Sequence, residues 1–256
     1  MGSVHTALRV LEVVSERQPV GVSEVGRELG IPKSSAQRAL VVLRDAGWLR
    51  PIDEGRATRW ALTPRALIVG SRAGGEMRLT AVARPTMEHL HAETRESIHL
   101  LVREGDDMVL VEHLESPQPV RSSYPLGMRA PMSASSTGKA FLAALAPEEA
   151  AEVIAHGLRA TTAATITDPQ QLLEDLEETR ARGYATSRGE LSADISAVAA
   201  AILDARRRPV ASMSISLPTQ RMTDDRWDAY GHMVAAASRQ VSEALGHVAD
   251  PLGVAQ

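Results

Sequence analysis

Lys33, Ser34, Ser35, Gln37 and Arg38 crowd around a single alanine in one short stretch. Such side chains suit a polyanion: serine hydroxyls and helix-terminal amides grip phosphate oxygens, while Gln and Arg can pair with base edges in the major groove of double-stranded DNA. The same composition also describes any solvated helix face, so the reading depends on what holds the stretch. A second run, Thr137-Gly138-Lys139, invites a phosphate-loop reading, but Ser133 stands where that loop needs its first glycine. Four histidines (His89, His91, His99 and His113) could suggest a metal. His89 and His91 are two apart on one expected helix and point in different directions, so no metal and no cofactor is assigned. Ser, His and Asp occur without a nucleophile elbow or an ordered triad motif, and an enzyme is not expected.

The elements around residues 33–38 favour DNA. Ala7, Leu8, Val10, Leu11 and Val14 give an apolar helical stripe over residues 5–17. Ser23 is a good N-cap for a short second helix ending near Leu29, and Gly30 and Pro32 make the turn. In the third helix Ala36, Ala39, Leu40 and Leu43 fall on one face, leaving Lys33, Ser34, Ser35, Gln37, Arg38 and Val41 outward; Gly47 closes it. This is the pattern of a helix-turn-helix. Residues 48–51 and 58–62 then read as a hairpin whose basic tip makes it a wing, with Arg56 and Arg59 near phosphate or the minor groove. Ser23 joins the DNA-facing set.

Charge divides the chain in the same place. Residues 1–72 hold eleven Lys and Arg against seven acids, whereas the remainder holds seventeen against twenty-five. Only the first part is therefore expected to meet a polyanion. With no cysteine there is no disulfide framework. No apolar run approaches the ~18 residues of a membrane span and no signal peptide is evident, so a cytoplasmic protein that does not engage membranes is expected.

The expected organisation is a winged helix-turn-helix domain (residues 1–62), a linker helix (63–78), a larger domain (79–249) and a tail (250–256). Thr63-Pro64 starts the linker helix, and Gly70, Gly74 and Gly75 make a hinge near its end. In the larger domain, residues 79–93, 137–145, 147–156, 169–182 and 224–244 read as helices. Residues 98–102, 109–114, 120–124, 198–203 and 210–217 read as strands. Strand pairs mixed with helices indicate an α+β domain built on an antiparallel sheet.

Several stretches, in order, resemble the IclR family of bacterial transcription regulators over nearly the whole chain. They include Ala7-Leu8-Arg9-Val10-Leu11, Leu29-Gly30-Ile31-Pro32-Lys33-Ser34-Ser35 and Glu115-Ser116-Pro117. Further on come residues 127–135 with Gly138-Lys139-Ala140, residues 180–184, and Ser212-Met213-Ser214-Ile215-Ser216. The resemblance implies a winged helix joined to a GAF-like effector domain. It also implies a homodimer or dimer of dimers on a palindromic operator, and a repressor controlled by a small-molecule effector. It places the effector pocket between the helix opening at Ser136, Thr137 and Gly138 and the strand carrying Ser214 and Ser216, with Met128, Ser135, Ser187 and Ala197 around it and residues 187–198 covering it. Free amides at a helix start suit a carboxylate or carbonyl oxygen.

Family members that take very small oxo-acids usually carry an acid where this chain has Ser187 and a cysteine where it has Ala197. Glycine is common where Asp194 and Leu217 stand. With Met108, Met128 and Met213 as adaptable lining, the expected effector is an aromatic or larger organic acid, or its amide or hydrazide. The alternative from another class is a small-molecule-binding or hydrolytic enzyme with an accessory helical domain.

Overall fold

The computed structural model describes residues 2–53, 58–71 and 75–246. The chain divides between Met77 and Arg78 into two units. In the first, helix α1 (Ser3–Arg17) buries Val10, Val13 and Val14. Leu8, expected on that face, is 54% exposed; the buried arc runs through Val13 instead. Helix α2 (Val22–Leu29) is capped by Gly21, whose amide donates to the Glu24 carboxylate at 3.4 Å. The expected cap, Ser23, lies two residues too late, as the second residue of the helix, and is exposed. Gly30 takes a left-handed φ of +64°, which frees the chain to turn. Helix α3 (Lys33–Asp45) buries Ala36, Ala39, Leu40 and Leu43, at the spacing that puts side chains on one helical face. Val41 is half-buried, and its neighbour Val42 is the exposed one.

Strands β2 (Leu49–Asp53) and β3 (Thr58–Leu62) pair antiparallel as the wing. Two-residue strand β1 (Val20–Gly21) adds to the other edge of β3. Leu49 and Trp60 close the core beneath the helices. The wing tip, with Arg56, lies outside the described residues. Helix α4 (Arg65–Ser71) follows.

The second unit is built on a six-stranded antiparallel sheet in the order β6-β5-β4-β9-β8-β7. Its strands are β4 (Ser97–Glu104), β5 (Asp107–Leu114), β6 (Arg129–Pro131), β7 (Ala185–Arg188), β8 (Ile195–Leu203) and β9 (Pro209–Pro218). Helices α5 (Gly75–Thr94) and α9 (Asp224–Ala244) cover one face, where Ile98, Leu100, Met213 and Ile215 meet Met87, Leu90, Val234 and Val241. The opposite face receives α6 (Ser136–Ala144), α7 (Pro147–Ala155) and α8 (Pro169–Arg182), packed through Leu101, Leu110, Phe141, Leu142, Leu172 and Leu176. Asp168 caps α8, accepting from Gln171 N.

Residues 120–124 form no strand, against expectation. Their backbone groups go to side chains rather than to a ladder: Ser97 Oγ donates to Ser122 O at 2.7 Å and Arg221 to Val120 O at 2.6 Å. Residues 187–198, expected as a cover, are half the ends of β7 and β8 and half, residues 189–194, the connecting loop.

Candidate nucleic-acid interface and effector cavity

In the first unit, α3 presents Lys33, Ser34, Gln37 and Arg38 exposed, with Ser35 half-buried. Arg38 donates to Ser35 Oγ at 3.2 Å, so these two side chains brace one another. A groove between α2, α3 and the wing is lined by Ser23, Lys33, Gln37, Arg44, Thr58 and Arg59. Ser34, Ser35 and Arg38 lie outside it, and Gln37 is shared with their face. Arg59, expected near phosphate or the minor groove, lines this groove and is also held within the domain. Its guanidinium donates to the Pro19 carbonyl at 2.7 and 2.9 Å and pairs with Glu24 at 3.2 Å. It thereby ties the base of the wing to α2. Exposed Val42, next to Arg38 on the helical surface, was missed; an apolar side chain there can meet a thymine methyl.

In the second unit, a cavity lies where α6 begins over the sheet. Strand alternation puts Ser214 and Ser216 of β9, Ala197 of β8, Ser187 of β7 and His99 of β4 on one face, and all five line the cavity. Ser135, Ser136 and Thr137 enter from α6, with Met128 and Tyr124 from the preceding loop and Leu191 from the 189–194 loop. Its volume is about 40 Å³, room for about three waters. Ser135 is the N-cap of α6: its Oγ accepts from Gly138 N at 3.1 Å. The first intrahelical bond runs from Lys139 N to Ser135 O. The amides of Ser136 and Thr137 come before it, at the positive end of the helix. Ser216 Oγ donates to Ser122 Oγ at 3.0 Å and keeps a lone pair for a ligand donor.

Three expected contributors face elsewhere. Gly138 is not in the wall; a Cβ there would sit 2.2 Å from Met132 O, so its role is the close approach of α6 to residue 132. Met108 is buried in the α6–α8 core and Met213 in the α5–α9 core. Leu217 also belongs to the α5–α9 side, so its size bears on packing and not on the ligand. His99, Tyr124, Leu191, Ile195, Leu101, Leu110 and Ala130 line the cavity without having been singled out for it. The signal for His99 was available, since it shares alternation with Leu101 and sits opposite Ser214.

Lys139, in the run that suggested a phosphate loop, is buried and committed. Its Nζ donates to both carboxylate oxygens of Glu190 at 2.8 and 2.9 Å and lies 3.2 Å from Asp175. Burial pushes the Glu190 carboxyl upward, against the opposing pull of Lys139. Threonines 161, 162 and 165 hold the same loop by its backbone, donating to Gly189 O and Glu190 O at 2.6 to 2.7 Å.

The four histidines that could have suggested a metal fall in separate settings. His91 Nδ1 is 2.8 Å from Glu96 O, His89 faces Glu93, and His99 and His113 are cross-strand neighbours.

The model of the bacterial transcriptional regulator IclR C-terminal domain matches residues 72–243, and that of the IclR helix-turn-helix domain matches residues 3–53. The chain belongs to the IclR family. It is 34% identical over 248 residues to the transcriptional repressor IclR of Escherichia coli K12, an alignment covering 95% of this chain and 90% of that protein. Among solved structures it is similar to the Thermotoga maritima IclR, with a TM-score of 0.77 and 26% identity over 95% of this chain and 98% of that one. It is also similar to an IclR homologue of Microbacterium hydrocarbonoxydans complexed with 4-hydroxybenzoate, with a TM-score of 0.73 and 26% identity over 96% and 99% of the two chains. This IclR-family chain is thus a transcription regulator and not an enzyme, with a helix-turn-helix DNA-binding domain joined to an α+β domain. No helix among its described residues is long and apolar enough to cross a membrane.

Proposed function

We propose that the protein is a cytoplasmic, effector-responsive repressor that binds a palindromic operator as a homodimer or dimer of dimers. The observation that carries this reading is the exposed face of α3, where Ser34, Gln37 and Arg38 stand clear of the core while Ala36, Ala39, Leu40 and Leu43 anchor the helix. Gln37 and Arg38 read bases; Ser23, Lys33, Ser34 and Ser35 hold phosphates. Arg59 supports the wing. Residues 1–62 bind DNA, 63–78 link, and 79–249 bind effector and partner.

The effector occupies the cavity between α6 and the sheet. Ser136 and Thr137 amides meet its acid group, and Ser135, Ser187, Ser214 and Ser216 supply hydroxyls around an apolar wall of Met128 and Ala197. An aromatic acid or its amide or hydrazide fits that chemistry, and a relative is known with 4-hydroxybenzoate. The cavity is smaller than the roughly 150 Å³ that takes a benzene ring, so an aromatic effector enters as the 189–194 loop moves. Ligand and operator are then coupled: a ligand shifts the balance only by its differential affinity for the two states. A dimer needs its recognition helices ~34 Å apart or a multiple of that.

A mobility-shift assay on DNA upstream of the protein's own gene, at two salt concentrations, tests the reading. Retention that is sequence-specific and weakens steeply with salt is expected. A thermal-shift screen of aromatic and aliphatic acids, amides and hydrazides, with 4-hydroxybenzoate among them, tests the cavity. A ligand that raises the melting point yet leaves operator affinity unchanged would sink the coupling.

A further inference from the structure

Among the described residues, the effector cavity holds no charged side chain. Six hydroxyls, those of Ser135, Ser136, Thr137, Ser187, Ser214 and Ser216, line it with Tyr124 and apolar groups. Lys139, the buried cation two residues beyond Thr137, is already bound by Glu190 and Asp175. An acid entering this space loses hydration and meets only the partial positive charge of the Ser136 and Thr137 amides, a costly exchange that a proton taken up with it would offset.

One wall residue can hold that proton. His99 is only 5% exposed and lines the cavity. Among the described residues its ring makes no hydrogen bond; its ordered neighbour is the Tyr124 ring, with centroids 5.7 Å apart. The groups packed around it are few. From β5 come His113, its cross-strand neighbour, whose Nδ1 is buried without a partner, and Glu115 just beyond the strand. From β9 comes Ser214, and from the 115–128 loop Tyr124, also burial-raised and so neutral. The start of α6 contributes hydroxyls alone. Burial, then His113, lowers the His99 pKa to about 4, with Glu115 opposing. The ring is therefore neutral at pH 7. An anion placed within reach raises an imidazole pKa.

We infer that His99 reads the acid group of the effector, taking one proton from solvent as a carboxylate enters and holding it as an imidazolium–carboxylate pair. No bond in the ligand is made or broken; the only covalent change is the new N–H on the ring. The inference rests on the cavity being the effector site. It sets the ligand class: monocarboxylates are held as ion pairs formed on binding, while their amides bind without proton exchange. Between the free value of the ring and its raised value in the complex, affinity for a carboxylate rises up to about tenfold for each unit the pH falls.

Calorimetry on the full chain from pH 5.5 to 7.5, in buffers of different ionisation heat, tests this with acetate, propionate and benzoate against benzamide. The expected result is uptake of about one proton per carboxylate and none for benzamide, with uptake lost in both His99→Gln and His99→Asn. Circular dichroism and a cooperative melt identify a variant that fails to fold. Carboxylate binding without proton uptake overturns the role of His99 and leaves the cavity reading intact. So does uptake that persists in both folded variants, which means the ligand enters as the neutral acid. Binding of benzamide but of no carboxylate also overturns it. If none of the four probes binds, the cavity reading falls and takes this inference with it.

Discussion

At the scale of the residue, two buried ionisable groups make opposite demands. Lys139 is charged and fully paired, and its removal strands Glu190 and Asp175 inside the protein. Breaking a buried pair by deleting one partner costs about 3–5 kcal/mol. Lys139→Met is therefore expected to lower the unfolding free energy by that order, with Lys139→Met/Glu190→Gln recovering part of it in denaturant titrations. An unchanged midpoint in the single variant would mean that the pair contributes nothing net. His99 is buried neutral. Its folded pKa of about 4 lies below the ordinary 6.5, so between those values the unfolded chain binds more protons. Stability is then fully present above pH 6.5 and lost as pH falls toward 4, by up to about 3 kcal/mol. Replacing His99 with Gln should flatten that part of the stability–pH curve. Neither environment could be read from residue types. Ser133 ruled out a phosphate loop at Thr137-Gly138-Lys139, but what Lys139 does instead depends on Glu190, 51 positions away in the chain, and only the fold reveals that partner.

At the scale of the element, legibility followed backbone hydrogen bonding. Strands β4, β5, β8 and β9 carry alternating or continuous apolar residues and were plain. Strand β7, Ala185-Thr186-Ser187-Arg188, was missed because it is an edge strand without a large apolar residue. Residues 120–124 look apolar enough for a strand, yet distant side chains take their carbonyls. In the candidate site, the motif at residues 135–138 was visible, but which of its members face the cavity was not. Gly138 illustrates the difference. A Cβ would lie 2.2–2.5 Å from Met132 backbone atoms, which no rotamer change relieves. Gly138→Ala is expected to push the start of α6 off residue 132, with a loss of about 1–3 kcal/mol or more from overpacking. Because Ser135, Ser136 and Thr137 move with it, ligand-induced thermal shifts should shrink as well. Loss of stability with full ligand response would confine Gly138 to packing.

At the scale of the whole molecule, what stays exposed is as informative as what is buried. Leu67, Ile68 and Val69 of α4 are 65%, 53% and 43% exposed, and Val4 and Leu8 of α1 are 73% and 54% exposed. Val4 and Leu8 are one helical turn apart and so share a face. Single exposed apolar residues are ordinary, but Leu67, Ile68 and Val69, about 100° apart in turn, spread an exposed apolar patch around more than half the girth of a helix of seven residues. In the dimer proposed above, a second copy covers this patch, and the pairing converts two weak half-site contacts into one bivalent contact. Linking two such contacts strengthens binding by about 10²–10⁴ without any new contact to DNA. Leu67→Glu/Ile68→Glu should therefore lower the sedimentation mass toward that of the monomer at micromolar concentration. It should weaken binding to a full palindrome by a factor of that order and leave binding to an isolated half-site unchanged. The half-site arm separates loss of pairing from damage to α3. Unchanged mass together with unchanged palindrome affinity would place the dimer contact elsewhere, and an equal loss on both DNAs would mean that α4 supports the fold of the helix-turn-helix itself.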